Sequence, residues 1–149
     1  MLTRLLFFLL VALGGAGLTL QMAWNARLRV ATGSPILTTM ISISVSLVSL
    51  AILWTCGVTG RGTVPAFNAV PKWAWFGGVF AVYYLVASLV AIPRLGAAAV
   101  FSLVIAGQVM AAIILDTTGA FGIPHISLSP TRIVGAVLLL AGVLLIQRR

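Results

Sequence analysis

Two clusters of polar side chains interrupt an otherwise apolar chain. Gln21, Trp24 and Asn25 fall within five positions of the run GGAGLTLQMAWNARL, and Gln108 and Asp116 are eight apart in AGQVMAAIILDTT. Gln21 and Asn25 are four apart, the spacing that puts two side chains on one face of a helix, and Gly14, Gly17 and Leu18 extend that face. Two amides beside an indole offer hydrogen bonds without formal charge, which suits a pocket for a small organic solute. The competing role is adhesion, with the glycines admitting a neighbouring helix and the amides bonding across the contact. Gln108, Ala112 and Asp116 follow an i, i+4, i+8 series, so amide and carboxylate share one helical stripe that can border a cavity. Asp116 is the single acidic residue in 149, against nine Lys and Arg. The end of a helix disfavours an anion, so its position asks for another reason: a solvated end, a salt bridge to a loop arginine, proton coupling, or control of solute access. His125, in the loop that follows, is either solvated or able to pass a proton.

The elements that position these groups are set by composition. Hydrophobic residues are 62% of the chain, charged residues 7%, and mean hydropathy is +1.23, far from the soluble balance of roughly half apolar and a quarter charged. An all-α integral membrane protein follows, because a helix satisfies its own backbone in lipid. Spanning takes roughly 20 mostly apolar residues, and five segments qualify, over about 4–26, 35–57, 72–92, 95–115 and 130–147. Residues 1–149 are thus read as one transmembrane domain with no room for a soluble one. Ser34-Pro35 and Ser129-Pro130 each set an N-cap before a first-turn proline and mark helix starts. The N-terminal MLTRLLFFLLVALGGAG looks like a secretory signal, but its apolar character continues past Gly17, so it is read as an uncleaved first helix. Trp73 and Trp75 beside Lys72 fit an interfacial belt. Tyr83, Tyr84 and Ser88 are candidates to line a path.

The net charge of +8 does not point to nucleic acid, because the cations are scattered singly between apolar runs as interface anchors. With five spans the termini lie on opposite sides. One side then carries Arg4, Arg61, Lys72 and Arg132, the other Arg27, Arg29, Arg94, Arg148 and Arg149. Orientation is normally set by a clear Lys/Arg excess on one side. Four against five gives no such instruction, so either a partner or local detail fixes one topology, or copies insert both ways and pair antiparallel as an inverted repeat.

Chemistry beyond transport finds no support. Cys56 is alone, which excludes an intrachain disulfide and a cysteine metal cluster. No phosphate-binding glycine motif, HExxH or Ser/His/Asp set occurs, so neither an enzyme, a metal nor a cofactor is expected. A secondary carrier of a small organic solute is the first expectation. The alternatives are a passive channel for a small ion or solute, for which Gln21, Asn25 and Gln108 make a meagre polar path, and a non-transporting membrane adaptor.

The runs QMAWNARL (21–28), GSP (33–35), WAWFGG (73–78), PRLGA (93–97), AGQ (106–108), Asp116 with Gly119-x-Phe121-Gly122, and RIVG (132–135) resemble, in that order, the YdcZ-like family of five-helix membrane proteins. The resemblance covers nearly the whole chain. That family is similar in plan to half of a ten-helix drug/metabolite transporter. The resemblance implies a transporter in the bacterial inner membrane, built as an antiparallel homodimer of ten helices from one dual-topology chain, or as a heterodimer with an oppositely oriented paralogue. It implies no particular substrate. Membrane lipid and a small-molecule solute are the expected partners, with Gln21, Trp24, Asn25 and Gln108 binding the solute and Asp116 at its access route or coupling protons.

Overall fold

A computed structural model describes residues 2–58, 60 and 62–148. Arg61 and Arg149, two members of the cation tally, lie outside the described residues. Among the described residues there is no strand, and five helices are long and apolar enough to cross a membrane. They are α1 (Leu2–Thr32), α2 (Pro35–Thr55), α3 (Gly77–Leu95), α4 (Ala97–Thr118) and α5 (Pro130–Gln147). The chain divides into two compact units, Met1–Val90 and Ala91–Arg149.

In the first unit α1 runs for 31 residues, about 46 Å at the usual helical rise, well beyond a hydrocarbon core of about 30 Å. The sequence placed its end near residue 26. Arg27, Leu28, Arg29 and Ala31 instead continue it, because all are good helix formers and a long cationic stem can reach polar surroundings from the helix end. Ser34 then caps α2, its side chain accepting from the Leu37 N–H at 3.2 Å with Pro35 in the first turn. The Thr32 and Thr38 hydroxyls, 2.8 Å apart, tie the turn between α1 and α2. Met22 and Leu89 are buried with Thr38, while Phe7, Phe8 and most leucines of α1 face outward, as a lipid-facing surface requires.

The third span starts at Lys72 as expected, but its first turn is not an α-helix. Lys72–Phe76 is a 3-10 turn, preceded by another at Phe67–Ala69, and the Phe67 and Trp75 rings stack at 5.6 Å. The α-helix starts only at Gly77 and continues through Pro93 to Leu95, where the sequence had predicted a break at residue 92. Proline there removes one intrahelical bond, from position 93 to the carbonyl of Leu89. That carbonyl receives the guanidinium of Arg29 instead.

Gly96 alone separates α3 from α4, with φ 84, a conformation that glycine adopts without strain. In the second unit α4 and α5 pack through Val100, Ala106 and Val143. Gly119 ends α4 in the left-handed region, its N–H returning to the Leu115 carbonyl at 2.9 Å. The Ile126 N–H bonds the Asp116 carbonyl at 2.8 Å, so the glycine-rich loop folds back on the helix end as its composition suggests. Ser129 accepts from the Arg132 N–H at 3.3 Å and starts α5.

Candidate functional site

The first unit holds an open crevice of about 670 Å³ between α1 and α2, within the size range of small-molecule sites. Gln21, Trp24 and Asn25 line it, so three of the expected solute-binding residues meet in one place. The Asn25 amide donates to Ser42 Oγ at 3.0 Å and the Gln21 amide to the same oxygen at 3.3 Å. A hydroxyl has two lone pairs and one hydrogen. Two amides can therefore converge on Ser42 only when at least one presents its NH2 group. Asn25 and Ser42 are buried, Gln21 is half-buried, and Trp24 is 72% exposed at the rim.

Adhesion and pocket are thus not exclusive here. The amides bond across the α1/α2 contact, and the residues that carry them line a cavity. Among the described residues the buried side-chain polar atoms without a partner are Thr39 Oγ1 and Arg132 Nη1. The amide oxygens of Gln21 and Asn25 are absent from that pair, and both residues line the crevice.

The α2 wall was not anticipated. Ser42, Ser46 and Ser49 line the crevice at i, i+4 and i+7, a helical stripe that the sequence contains in TTMISISVSLVS. The alternating serines at 42, 44 and 46 obscure it, because only the 3.6-residue period separates Ser42, Ser46 and Ser49 from Ser44. Ser44 faces the other side, where a larger crevice of about 820 Å³ separates α2 from α3. That space is almost wholly apolar, with Thr39, Ser44 and Tyr83 as its hydroxyl-bearing walls. Ser88 is buried and Tyr84 half-buried. Neither lines a crevice with Tyr83.

Gln108 and Asp116 belong to the second unit. They share α4 as expected, but the structure does not join them: eight residues of helix is about 12 Å, Gln108 is exposed, and Asp116 is half-buried. The Asp116 carboxylate pairs with the guanidinium of Arg132. This pairing accounts for an otherwise unfavourable placement. An anion in the last turn of α4 and a cation in the first turn of α5 each oppose their own helix dipole. Brought together, each sits at the end of the neighbouring helix whose partial charge favours it. His125 is exposed, with its Cβ 3.6 Å from the position a Gly119 side chain would take. Among the described residues no group of three His, Cys, Asp or Glu converges as a metal site would require.

The sequence matches known proteins along most of its length. The family model described as "Putative inner membrane exporter, YdcZ" matches residues 6–145. The Inner membrane protein YdcZ of Escherichia coli (strain K12) is 28% identical over 146 residues, covering 97% of this chain and 95% of the relative. No solved structure matches the chain. These matches extend through all five spans and include both polar clusters, which makes the chain a multi-pass inner membrane protein belonging to the YdcZ family.

Proposed function

We propose that the protein is a secondary transporter of a small organic solute, and that the α1/α2 crevice is where the solute rests. The observation that carries this reading is the convergence of Gln21 and Asn25 on Ser42 inside a crevice of ligand size, in a chain whose family is described as an exporter. An uncharged polar floor in apolar walls favours a neutral, zwitterionic or weakly hydrophobic solute over a strong ion, which would need formal counter-charge in lipid. Gln108, an exposed amide near the middle of α4, needs a polar partner in the membrane, and in this proposal it is a further solute-binding residue. Asp116, held by Arg132, serves at the access route or in proton coupling.

The working unit in this proposal is an antiparallel dimer of dual-topology chains, ten helices in all, as in the drug/metabolite transporter superfamily. Alternating access then arises as one inverted subunit rocks against the other around a shared midplane site. The near-balanced cations of the sequence supply the motive for two insertions.

Flux in proteoliposomes tests the function. The expected result is a saturable rate with counterflow, accelerated by solute on the opposite side. Unsaturable conductance identifies a channel, and absence of flux with stoichiometric co-purification of another protein identifies an adaptor. Either outcome ends the carrier reading.

A further inference from the structure

We infer that the α1/α2 crevice selects solutes by the hydrogens they bring: its occupant is an amphiphile with a small apolar body and a head that carries a hydroxyl or amine hydrogen, and heads that only accept hydrogen bonds, such as a carboxylate with no amine beside it, are excluded. This inference rests on the reading of that crevice as the solute site and names the class of solute it takes.

The argument is a donor and acceptor inventory of the lining side chains. Ser46 Oγ donates to the Ser42 carbonyl at 3.0 Å and Ser49 Oγ to the Val45 carbonyl at 2.8 Å. Both hydroxyl hydrogens are therefore committed to the helix itself, and what these serines offer the crevice is lone pairs. The amides of Gln21 and Asn25 each commit an N–H to Ser42, so the lone pairs of their carbonyl oxygens remain for an occupant. Four oxygens with two lone pairs each are thus on offer, from Gln21, Asn25, Ser46 and Ser49.

Against them stand few donors. Ser42 keeps one hydroxyl hydrogen, each amide keeps its second N–H, and Trp24 supplies an indole N–H at the rim. Acceptor capacity is about twice donor capacity. No lining residue carries a formal charge, so an anion finds neither a counter-ion nor enough donors, whereas a hydroxyl or amine finds acceptors already free. The Trp24 face, 72% exposed, gives the apolar body a surface to stack on, and an amine enters in its neutral form, since no lining residue supplies the counter-charge an ammonium would need.

Thermal-shift titrations of the purified full-length protein with a matched probe series test the inference. The probes are 2-phenylethanol, 2-phenylethylamine, 2-phenylethyl methyl ether, ethylbenzene and 3-phenylpropionate, which share a ring and differ in the head. The alcohol and the amine should bind about ten-fold more tightly than the ether, the worth of one to two net hydrogen bonds. The carboxylate should be weakest. Ser49→Ala, which removes an exposed acceptor without touching the Ser42 cluster, should shrink the alcohol-to-ether ratio about three-fold. The paired change Gln21→Leu, Asn25→Leu should bring the ratio close to one. If the ether or the carboxylate binds as well as the alcohol, and the paired change still weakens them all, the donor rule is wrong while the site stands. If no probe binds, or binding is indifferent to every substitution, the site itself is wrong and the inference falls with it.

Discussion

The guanidinium of Arg29 donates to the main-chain carbonyl of Leu89, the acceptor that Pro93, four residues on in the same helix, has no N–H to serve. Leu89 is 1% exposed, so water is no substitute. Arg29→Met should lower the stability of the detergent-solubilised protein by about 1–3 kcal/mol, the cost of stranding a buried acceptor. Pro93→Ala restores a backbone donor to that carbonyl, and in this background the same arginine change should cost distinctly less. A double-mutant cycle read by thermal unfolding measures the difference. Equal costs in the two backgrounds would show that Arg29 acts elsewhere.

Ser42 holds two amides at once, which makes it the sensitive member of the crevice floor. Ser42→Ala should cost about 1–3 kcal/mol by leaving Asn25, and in part Gln21, without an acceptor in a buried setting. Ser46→Ala and Ser49→Ala lose only hydrogen bonds to their own helix and should each cost less than about 0.5 kcal/mol. The ranking is checked by thermal unfolding of the three variants side by side. A neutral Ser42→Ala contradicts the shared-acceptor geometry.

The ion pair between Asp116 and Arg132 lies between the surface and buried regimes, with side-chain exposures of 21% and 32%. Asp116→Asn should therefore destabilise by about 1–2 kcal/mol. Adding Arg132→Gln should recover part of that loss, because the second change removes the stranded cation. If Asp116 also couples protons to transport, Asp116→Asn flattens the pH dependence of flux in proteoliposomes, whereas Arg132→Gln leaves a dependence in place. A purely structural pair changes stability in both variants and the shape of the pH profile in neither.

Gln108 separates pocket from packing. Once a transported solute is in hand, Gln108→Ala should weaken its binding several-fold while thermal stability and oligomeric state stay as they are. Loss of the dimer on size-exclusion chromatography with transport per surviving dimer intact assigns the amide to the subunit contact instead.

Topology is the remaining prediction. Reporters fused to the C-terminus, one active only in the cytoplasm and one only outside the inner membrane, should both score positive when the chain is expressed alone. Moving a single cation, as in Arg94→Ala with an added lysine near residue 4, should tilt the ratio, since a balanced count leaves small changes decisive. A single orientation with no oppositely inserted partner rules out the inverted dimer.

The sequence by itself determined the solvent of this protein, its five spans and the starts of α2 and α5, because hydropathy and N-caps act locally and leave one-dimensional traces. It also placed Gln21 and Asn25 on a common face, since helical spacing alone does so. The extent of α1 and α3 was not legible in the same way. Residues 27–32 and Pro93 fell outside the segments read as spans, but Arg29 and Pro93 answer each other through Leu89, sixty positions from the arginine. The stripe of Ser42, Ser46 and Ser49 was present yet silent, because nothing local marks which serine of an alternating run faces α1. Asp116 is the clearest case. Its placement against its own helix dipole could be read from the chain, but the reason could not, since the compensating Arg132 opposes the dipole of a different helix and only packing brings the two ends together.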